Sequence, residues 1–578
     1  MLEKIRTSTF LLAITVVLLL FSLTLLIFTC FWGLNDDAVM AMHIYGKGYS
    51  IEPTEYILYS NIIIGSILKK IYQAIPDYPW YGIYTMLILF ISFIVLLYSL
   101  LTYKYSKTRI LYFLLYFVLF GLWLIRMPQF TTNAVMAGMS GVFLFFTYLS
   151  EGKTAIISKF IVAFSILLLS LSFLIRPESF YLIVILSFSF ITVEMLMHEY
   201  RKRALGKLLV LVIPLIIIII LSATYHRSAY LKDDNWAHMI KKIELGRELV
   251  DNNKAMEYSS RTKHIFDSVG WSLNDVIMLT NWFFIDDEVF GLVKREKVLR
   301  EINNISLPRP MIYLEHMVRD KYFYGAVVLL IYFISQINMR QKIFFQIALS
   351  LLVSVFIILY MGYSVRLPDR VYMPILSYLA FLALFFVDKD IRPEEIKLWK
   401  GKLNILFVVI FMVFFIFIHY SFNAVRKKQN VVLKHSIARL DPEKDRIYLV
   451  WAKSLPLELL SVFDNLDDFA DLKMLDITAD FNDPRVMKVS KALNIKNFGE
   501  LTGKDNLFHI GNLTYMALYA RYLKEHYNLD VAFKIIEVNP LFMIYKHIEV
   551  NPDISRRIKT IPVNVAGVKY KVLAIQEQ

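Results

Sequence analysis

The chain has 578 residues, of which 57% are hydrophobic and 15% aromatic, and its mean hydropathy is +0.52. This composition excludes an ordinary soluble enzyme and predicts many membrane-spanning helices. The formal net charge of +14 is typical of nucleic-acid-binding proteins, but most of it lies where membrane topology places basic residues, so we expect no nucleic-acid partner.

The first apolar segment, Phe10–Trp32, is soon followed by the sequence Asn35-Asp36-Asp37. It is longer than the apolar region of a signal peptide and no small-residue cleavage site precedes the acids, so we expect a retained helix. Its Cys30 is the only cysteine, which excludes a disulfide framework and a thiolate metal cluster. Two adjacent carboxylates at the water interface can abstract a proton or bind a cation, and their repulsion raises one pKa towards that of a general base. The simpler interpretation is that the pair ends the helix.

Apolar stretches predict about eleven spans, near residues 10–32, 81–101, 110–125, 128–149, 159–175, 179–197, 207–224, 321–337, 343–362, 371–387 and 403–420. If the N-terminus, with Lys4 and Arg6, is cytoplasmic, alternate short connections should be basic. They contain Lys104, Lys107 and Arg109; Lys153 and Lys159; Arg201, Lys202, Arg203 and Lys207; Arg340 and Lys342; Lys389, Arg392, Lys397, Lys400 and Lys402. We therefore predict a multi-pass protein of the cell membrane with an extracytoplasmic C-terminal domain.

Two outer loops are long. In the first, 33–80, the apolar residues of Tyr56–Ile75 recur at helical spacing and predict an amphipathic helix on the membrane surface. A twelfth span is the alternative, but it would invert every later loop. In the second, 225–320, carboxylates stand among aromatic residues; this pattern suits sugar binding but is commoner in the core and rim of a folded loop, and we assign it no catalytic role. Its acids are Asp233, Asp234, Asp267, Asp275, Asp286 and Asp287, and its aromatics Trp236, Trp271, Trp282 and Phe283.

The predicted domains are a transmembrane domain, 1–423, and a soluble outer α/β domain, 424–578. In the tail, Arg446–Ala452, Phe533–Val538 and Val568–Ile575 predict strands, the last by strict alternation. Segments Leu455–Leu472 and Leu513–His526 predict helices. The tail has no Gly-rich phosphate loop, no His/Cys metal spacing and no nucleophile elbow, which favours an acceptor-binding or scaffolding role.

Four arginines fall in the short outer hairpins, where arginine is unusual. Guanidinium groups suit bidentate phosphate recognition, so the four predict a site for a phosphate or pyrophosphate head group. The alternative for each is snorkelling to lipid phosphates. The arginines are Arg126, Arg176, Arg366 and Arg370. Glu178 could pair with one of them or bind a sugar hydroxyl, and His43 and Tyr49 follow the acidic pair as possible substrate-binding residues.

The acidic pair, the surface helix after it, about eleven spans and the outer C-terminal domain together resemble the GT-C superfamily of integral-membrane glycosyltransferases. The superfamily includes protein mannosyltransferases and the aminoarabinose transferases of lipid A, and the resemblance covers residues 1–420. It implies a polyprenyl-phosphate-linked sugar as donor, Asp36 or Asp37 as catalytic base, and arginines at outer helix ends on the lipid phosphate.

The resemblance implies transfer of the sugar to an acceptor hydroxyl at the outer face of the membrane, with membrane lipids as surroundings. The sugar and the acceptor (a cell-envelope glycan, lipid or protein) leave no mark in the sequence. We expect no cofactor, although Asp36 and Asp37 could hold a divalent ion instead of acting as a base. The alternatives are a lipid-linked glycan polymerase or ligase and, with less support, a transporter or flippase, which usually shows internal repeats and ionisable residues at mid-membrane depth.

Overall fold

The computed structural model describes residues 2–150, 156–197, 201–251, 257–305, 312–388, 399–440, 445–451 and 454–575. Four basic residues of the predicted cytoplasmic connections lie outside these ranges: Lys153, Lys389, Arg392 and Lys397.

The predicted spans fall on helical segments of the structure, the one near 110–125 on two short helices joined by a π-helical turn, and the count of eleven stays a prediction. Within the described ranges, eight helical stretches are long and apolar enough to cross a membrane, and two shorter apolar helices, Lys159–Ile175 and Lys321–Ser335, accompany them. The chain is therefore a multi-pass helical membrane protein. The helices before the tail are Leu2–Ile27, Asn35–Tyr45, Ile62–Ala74, Trp80–Tyr103, Lys107–Tyr116, Leu122–Arg126, Phe130–Ser150, Ile156–Ile175, Pro177–Leu196, Arg201–Leu231, Asp234–Asp251, Lys263–Asp267, Leu273–Thr280, Asp287–Phe290, Leu292–Asn303, Ile312–Arg319, Lys321–Ser335, Gln341–Ser364, Asp369–Phe385 and Trp399–Ile437, with a π-helical turn at Phe117–Gly121.

The predicted surface helix Tyr56–Ile75 is shorter in the structure, where it covers Ile62–Ala74. Asn61 sets its start, because its side-chain oxygen accepts a hydrogen bond from the amide of Ile63 at 3.0 Å. A helix of 13 residues is too short to cross a membrane, which excludes the alternative of a twelfth span here.

Basic side chains tie together the helix ends on the side of the predicted cytoplasmic connections. The Arg109 guanidinium donates to the carbonyls of Leu100 and Val387, each at 2.8 Å, and so satisfies main-chain oxygens at the ends of two helices. The Lys104 ammonium lies 3.2 Å from the carboxylate of Asp388. Positive charge at this end of the bundle therefore has a structural use besides its value for topology.

The C-terminal tail contains a seven-stranded sheet. Its strands are β1 Ile447–Val450, β2 Lys473–Asp476, β3 Leu507–Gly511, β4 Val531–Val538, β5 Met543–Glu549, β6 Ile558–Val565 and β7 Val568–Ile575. Their order in the sheet is β2-β1-β3-β5-β4-β7-β6. Strand β1 pairs in parallel with β2 and β3, whereas β3–β5, β4–β5 and β6–β7 are antiparallel. The helices of the tail are Pro484–Ala492, Phe498–Thr502, Leu513–Tyr527 and Pro552–Ser555. The three predicted strands and the helix predicted at Leu513–His526 are confirmed.

The helix predicted at Leu455–Leu472 is wrong. That segment contains only the short 3-10 turns Leu457–Leu459 and Asp467–Phe469. Its main chain instead pairs with the end of the first apolar segment and with the first outer loop: the amide of Val462 donates to the carbonyl of Cys30 at 3.0 Å, and the amide of Gly48 donates to the carbonyl of Phe469 at 3.3 Å. Tertiary pairing therefore overrides the local helical pattern.

The long outer loop and the tail share one apolar core. The ring of Phe283 lies 5.1 Å from that of Trp451, and Phe290 stacks on Tyr522 at 6.0 Å. A buried ion pair joins the same two parts, with Arg295 2.8 Å from Asp480. The carboxylates of this loop serve the fold: Asp275 completes a capping box and Asp286 caps a helix. The long loop and the tail thus form one lobe beside the membrane helices.

The two sides of the sheet pack against different partners. Leu449, Trp451 and Tyr545 belong to the core shared with the long loop. Tyr448 and Ile544, which alternate with these residues along β1 and β5, belong to the core that continues into the membrane helices. Because successive side chains of a strand point to opposite faces, one side of the sheet faces the membrane portion.

Candidate active site

The chain before the acidic pair is held by the tail. The main chain of Phe31 bridges to Ser461, and the amide of Trp32 donates to the carbonyl of Leu460 at 3.3 Å. The side chain of Asn35 donates to the carbonyl of Leu455 at 3.3 Å and accepts from the amide of Glu458 at 2.9 Å. These bonds fix the start of the helix Asn35–Tyr45, whose first turn contains both acids.

The structure separates the two carboxylates, because Asp36 is partly exposed whereas Asp37 is fully buried. One oxygen of Asp37, Oδ1, accepts hydrogen bonds from the amide of Phe130 at 3.0 Å and from the hydroxyl of Tyr81 at 3.2 Å. The other, Oδ2, is buried without a hydrogen-bond partner among the described residues. Such an oxygen is costly for folding and is available to a proton or a ligand.

Burial decides the ionisation of Asp37. It raises the pKa of this carboxyl to about 8, and the nearby Asp36 adds to the rise. The hydrogen bonds from Phe130 and Tyr81 and the charge of Arg370 favour the ionised form, but together they offset only part of the cost of burial. A carboxyl whose pKa is raised towards neutrality has the property that a general base needs.

Arg176 lies on the other side of Phe130. Its guanidinium is 4.9 Å from the centre of the Phe130 ring and 5.7 Å from that of Tyr59, and the two rings stack at 5.2 Å. Burial lowers the pKa of Arg176, and the charge of Arg370 lowers it further. The charge of Arg370 also acts on Asp37, so it influences the ionisation of both of these predicted site residues.

The predicted arginine Arg126 lies inside the bundle. Arg126 is 1% exposed, and its guanidinium donates to the carbonyl of His419 at 3.2 Å and to the hydroxyl of Tyr322 at 3.3 Å. It therefore joins three helices inside the bundle. Arg366 is partly exposed between the helices Gln341–Ser364 and Asp369–Phe385. Phosphate binding by Arg126 and Arg366 stays a prediction.

His43 and Tyr49 face the tail. Both are buried. Burial and the charge of Arg485 lower the pKa of His43 to about 3, against the effect of Asp483. Burial and the charge of Asp476 raise the pKa of Tyr49. These two residues thus lie where the first outer helix meets the tail.

A cavity of about 230 Å³ opens beside Arg176. Glu178 lies at its edge and joins two arginines, with Arg176 at 3.6 Å and Arg247 at 3.2 Å. Phe173 and Ala223, near the ends of two membrane helices, add apolar side chains to its lining. The remaining lining residues are Leu58, Tyr59, Ser60, Asn61, Pro177 and His226. The cavity therefore offers cationic groups next to the apolar membrane portion.

The sequence did not single out Tyr81, Phe130, Tyr59 or Arg247. Aromatic residues are frequent throughout this chain, and Arg247 lies far from the acidic pair in sequence, so no local pattern could have selected them. These residues become part of the candidate site only because the first outer loop packs against three different helices.

One group of side chains in the described part has the composition and proximity of a metal site. Asp275, Glu525 and His526 offer ligand atoms within 4.8 Å of one another. They lie in the lobe and not beside Asp37, and they already bond to protein: His526 to Asp275 at 2.8 Å, and Arg521 to Glu525 at 2.7 Å. The neighbouring guanidinium disfavours a cation there.

Neither a family model nor a curated protein matches this chain. Among solved structures, ArnT from Cupriavidus metallidurans in the apo state matches with 9% identity and a TM-score of 0.42, covering 93% of this chain and 98% of ArnT. The same protein bound to undecaprenyl phosphate matches with 8% identity and a TM-score of 0.39, covering 93% and 97%.

The archaeal oligosaccharyltransferase AglB from Archaeoglobus fulgidus, in complex with an inhibitory peptide and a dolichol-phosphate, matches with 11% identity and a TM-score of 0.41. The match covers 96% of this chain and 75% of AglB.

Proposed function

We propose that this protein is a glycosyltransferase that moves a sugar from a polyprenyl-phosphate donor to an acceptor hydroxyl at the outer face of the membrane. The observation that carries the proposal is the carboxylate of Asp37, which is fully buried, held through Oδ1 and without a partner at Oδ2. A buried, half-satisfied carboxylate with a raised pKa beside arginines marks a functional site.

Asp37 acts as the general base. Its Oδ2 takes the proton of the acceptor hydroxyl while Phe130 and Tyr81 hold Oδ1 in place. The acceptor oxygen then bonds to the anomeric carbon of the sugar, and the bond from that carbon to the phosphate oxygen breaks. The proton ends on Asp37, and the electron pair of the broken bond leaves on the polyprenyl phosphate.

Arg176 and Arg370 serve the phosphate. Negative charge grows on the leaving phosphate during the reaction, and fixed guanidinium groups stabilise it more than they stabilise the donor. The cavity beside Arg176 supports a lipid-borne phosphate, since its lining includes the ends of two membrane helices. The basic connections on the opposite side of the bundle support an outer location for this site.

The proposal is tested with purified protein in proteoliposomes that contain a polyprenyl-phosphate sugar and candidate acceptors. We expect Asp37→Asn to reduce transfer by three orders of magnitude or more, and Asp36→Asn, a change of equal size at the neighbouring position, to reduce it far less. Undiminished transfer by Asp37→Asn would refute the assignment of the base. An acceptor product that carries one added sugar indicates this activity, whereas a ladder of longer products indicates a polymerase.

A further inference from the structure

The guanidinium of Arg176 makes no hydrogen bond among the described residues. The carboxylate beside it, that of Glu178, is 3.6 Å away, which is beyond hydrogen-bond distance, and its other neighbours are the rings of Phe130 and Tyr59. The side chain of Arg176 is only 20% exposed. A guanidinium has five N–H donors, and leaving them unpaired in a largely buried position is unfavourable. Arg176 therefore lacks an acceptor, and the cavity of about 230 Å³ beside it has room for one.

A second guanidinium reaches the same cavity from the long outer loop. Arg247, on the helix Asp234–Asp251, donates one hydrogen bond, from Nη2 to the carboxylate of Glu178 at 3.2 Å. Its other donors have no partner in the described part of the chain. Two guanidinium groups thus share one carboxylate, and the charge of Arg370 adds to the positive charge that acts on Arg176. The cavity is therefore cationic even with Glu178 in place.

His226 adds a neutral donor to the lining. Its Nδ1 accepts a hydrogen bond from the amide of Ile62 at 3.1 Å, so its proton lies on Nε2. No described residue bonds to this Nε2. The side chains of Asn61 and Ser60, also in the lining, already donate to main-chain carbonyls. The unpaired groups named here are donors, and they match a ligand rich in anionic oxygens.

We propose that the cavity binds the phosphate of the lipid-linked donor between Arg176 and Arg247, and that this phosphate displaces Glu178. The inference rests on the function proposed above and adds Arg247, a residue of the long outer loop, to the donor site. A phosphate has enough oxygens for paired bonds to both guanidinium groups, whereas Glu178 bonds only to Arg247. Glu178 is 53% exposed, so its carboxylate can turn to water when the phosphate enters.

The lining favours a phosphate that is carried by a lipid. Phe173 and Ala223 belong to apolar helices of the membrane portion and give the cavity an apolar side. The first isoprenoid units of a donor would cover this side and remove it from water, whereas a free phosphate would not.

The test measures binding of a short-chain polyprenyl phosphate to the full-length protein in detergent, by thermophoresis, with neither sugar nor acceptor present. We expect Arg247→Gln to weaken binding about tenfold, because it removes charge-assisted hydrogen bonds. Glu178→Gln should strengthen binding about threefold, because it removes the competing carboxylate of an exposed ion pair. The matched controls are Arg521→Gln and Glu52→Gln, which remove an arginine and a glutamate of similar exposure from ion pairs outside the cavity. Both controls should leave binding unchanged, and melting temperatures report whether each variant is folded.

Binding that Glu178→Gln weakens or leaves unchanged would overturn the proposal, because Glu178 would then position the arginines or play no part. Binding unaffected by Arg247→Gln would overturn it as well, while transfer that depends on Asp37 would still support the proposed function. Inorganic phosphate is the second probe. If it binds as tightly as the lipid and responds in the same way to both variants, the cavity recognises a free phosphate and the lipid assignment is wrong. Failure of the wild-type protein to bind polyprenyl phosphate would instead refute the donor of the proposed function.

Discussion

Phe130 holds Asp37 with its main chain and Arg176 with its ring. The amide of Phe130 lies 3.0 Å from Oδ1 of Asp37, and the centre of its ring lies 4.9 Å from the guanidinium of Arg176. Phe130, at the start of the helix Phe130–Ser150, thus positions both the proposed base and one of the proposed phosphate-binding arginines. Their relative position is set by a rigid helix and not by the loops that carry them.

The rate of transfer should depend on pH through Asp37. The base must be ionised, and its pKa is about 8, so the rate should rise up to that pH and level off above it. Tyr81→Phe removes a hydrogen bond to the ionised form, which should move the rise to higher pH. The pH profile of kcat/KM for both proteins measures this. A profile that is flat from pH 6 to 9 would contradict the role of Asp37.

Asp37 should lower the stability of the protein at neutral and alkaline pH. Its pKa is about 8 in the folded protein, whereas an unfolded aspartate has a pKa of about 3.9. The folded state binds the proton more tightly, so the contribution of this group to the free energy of unfolding is greatest below pH 4 and is lost as pH rises through 8. Asp37→Asn should therefore melt at a higher temperature relative to wild type at pH 8 than at pH 5. Thermal unfolding in detergent at the two pH values measures the difference, and a constant difference would argue against it.

Arg370 and Arg126 should fail in different ways. Arg370→Gln removes a charge that favours ionised Asp37, so the rise of the pH profile should move to higher pH and KM for the donor should increase. Arg126→Gln removes hydrogen bonds inside the bundle and should lower the free energy of unfolding by about 2–4 kcal/mol. Its main effect should therefore be a lower melting temperature. Steady-state kinetics and thermal unfolding of both variants distinguish the two roles. An effect of Arg126→Gln on KM for the donor, with unchanged stability, would instead indicate that Arg126 binds the donor phosphate.

The bond between Asn35 and the tail should matter for catalysis. Asn35→Ala leaves the amide of Glu458 without its acceptor, at a cost of about 1–3 kcal/mol, and loosens the turn that contains Asp37. We expect kcat to fall several-fold while KM for the donor changes little. Asn430→Ala is the matched control, because Asn430 also bonds to the tail, at the carbonyl of Leu459, but lies on another helix. Equal losses in the two variants would mean that tail docking in general, and not the position of Asn35, supports the reaction.

Part of the site could be read from the sequence because it follows from local rules. The length of the apolar stretches predicted the membrane spans, and the strict alternation of polar and apolar residues predicted β7. The acidic pair drew attention to Asp37, yet sequence spacing treats Asp36 and Asp37 alike. Only the packing of Tyr81 and Phe130 around the second carboxylate makes them different.

The arginines show the same difference between what the sequence predicts and what the packing decides. Their positions in short hairpins can be predicted from the sequence. Whether a guanidinium lies near the candidate site or inside the bundle depends on which helices are neighbours. The charge of Arg370 acts on both Asp37 and Arg176, whereas the guanidinium of Arg126 bonds to Tyr322 and His419.

By itself the sequence determined that the chain crosses the membrane many times and where three of the seven strands of the tail lie, because these depend on hydrophobicity over neighbouring residues. Only the tertiary structure decided that the segment Leu455–Leu472 is not a helix but pairs its main chain with residues around the acidic pair. The same is true of the core that the long outer loop shares with the tail. The tertiary structure also decided that Asp37 is the buried acid. Each of these depends on contacts between residues far apart in the chain, where desolvation and main-chain pairing outweigh local preference.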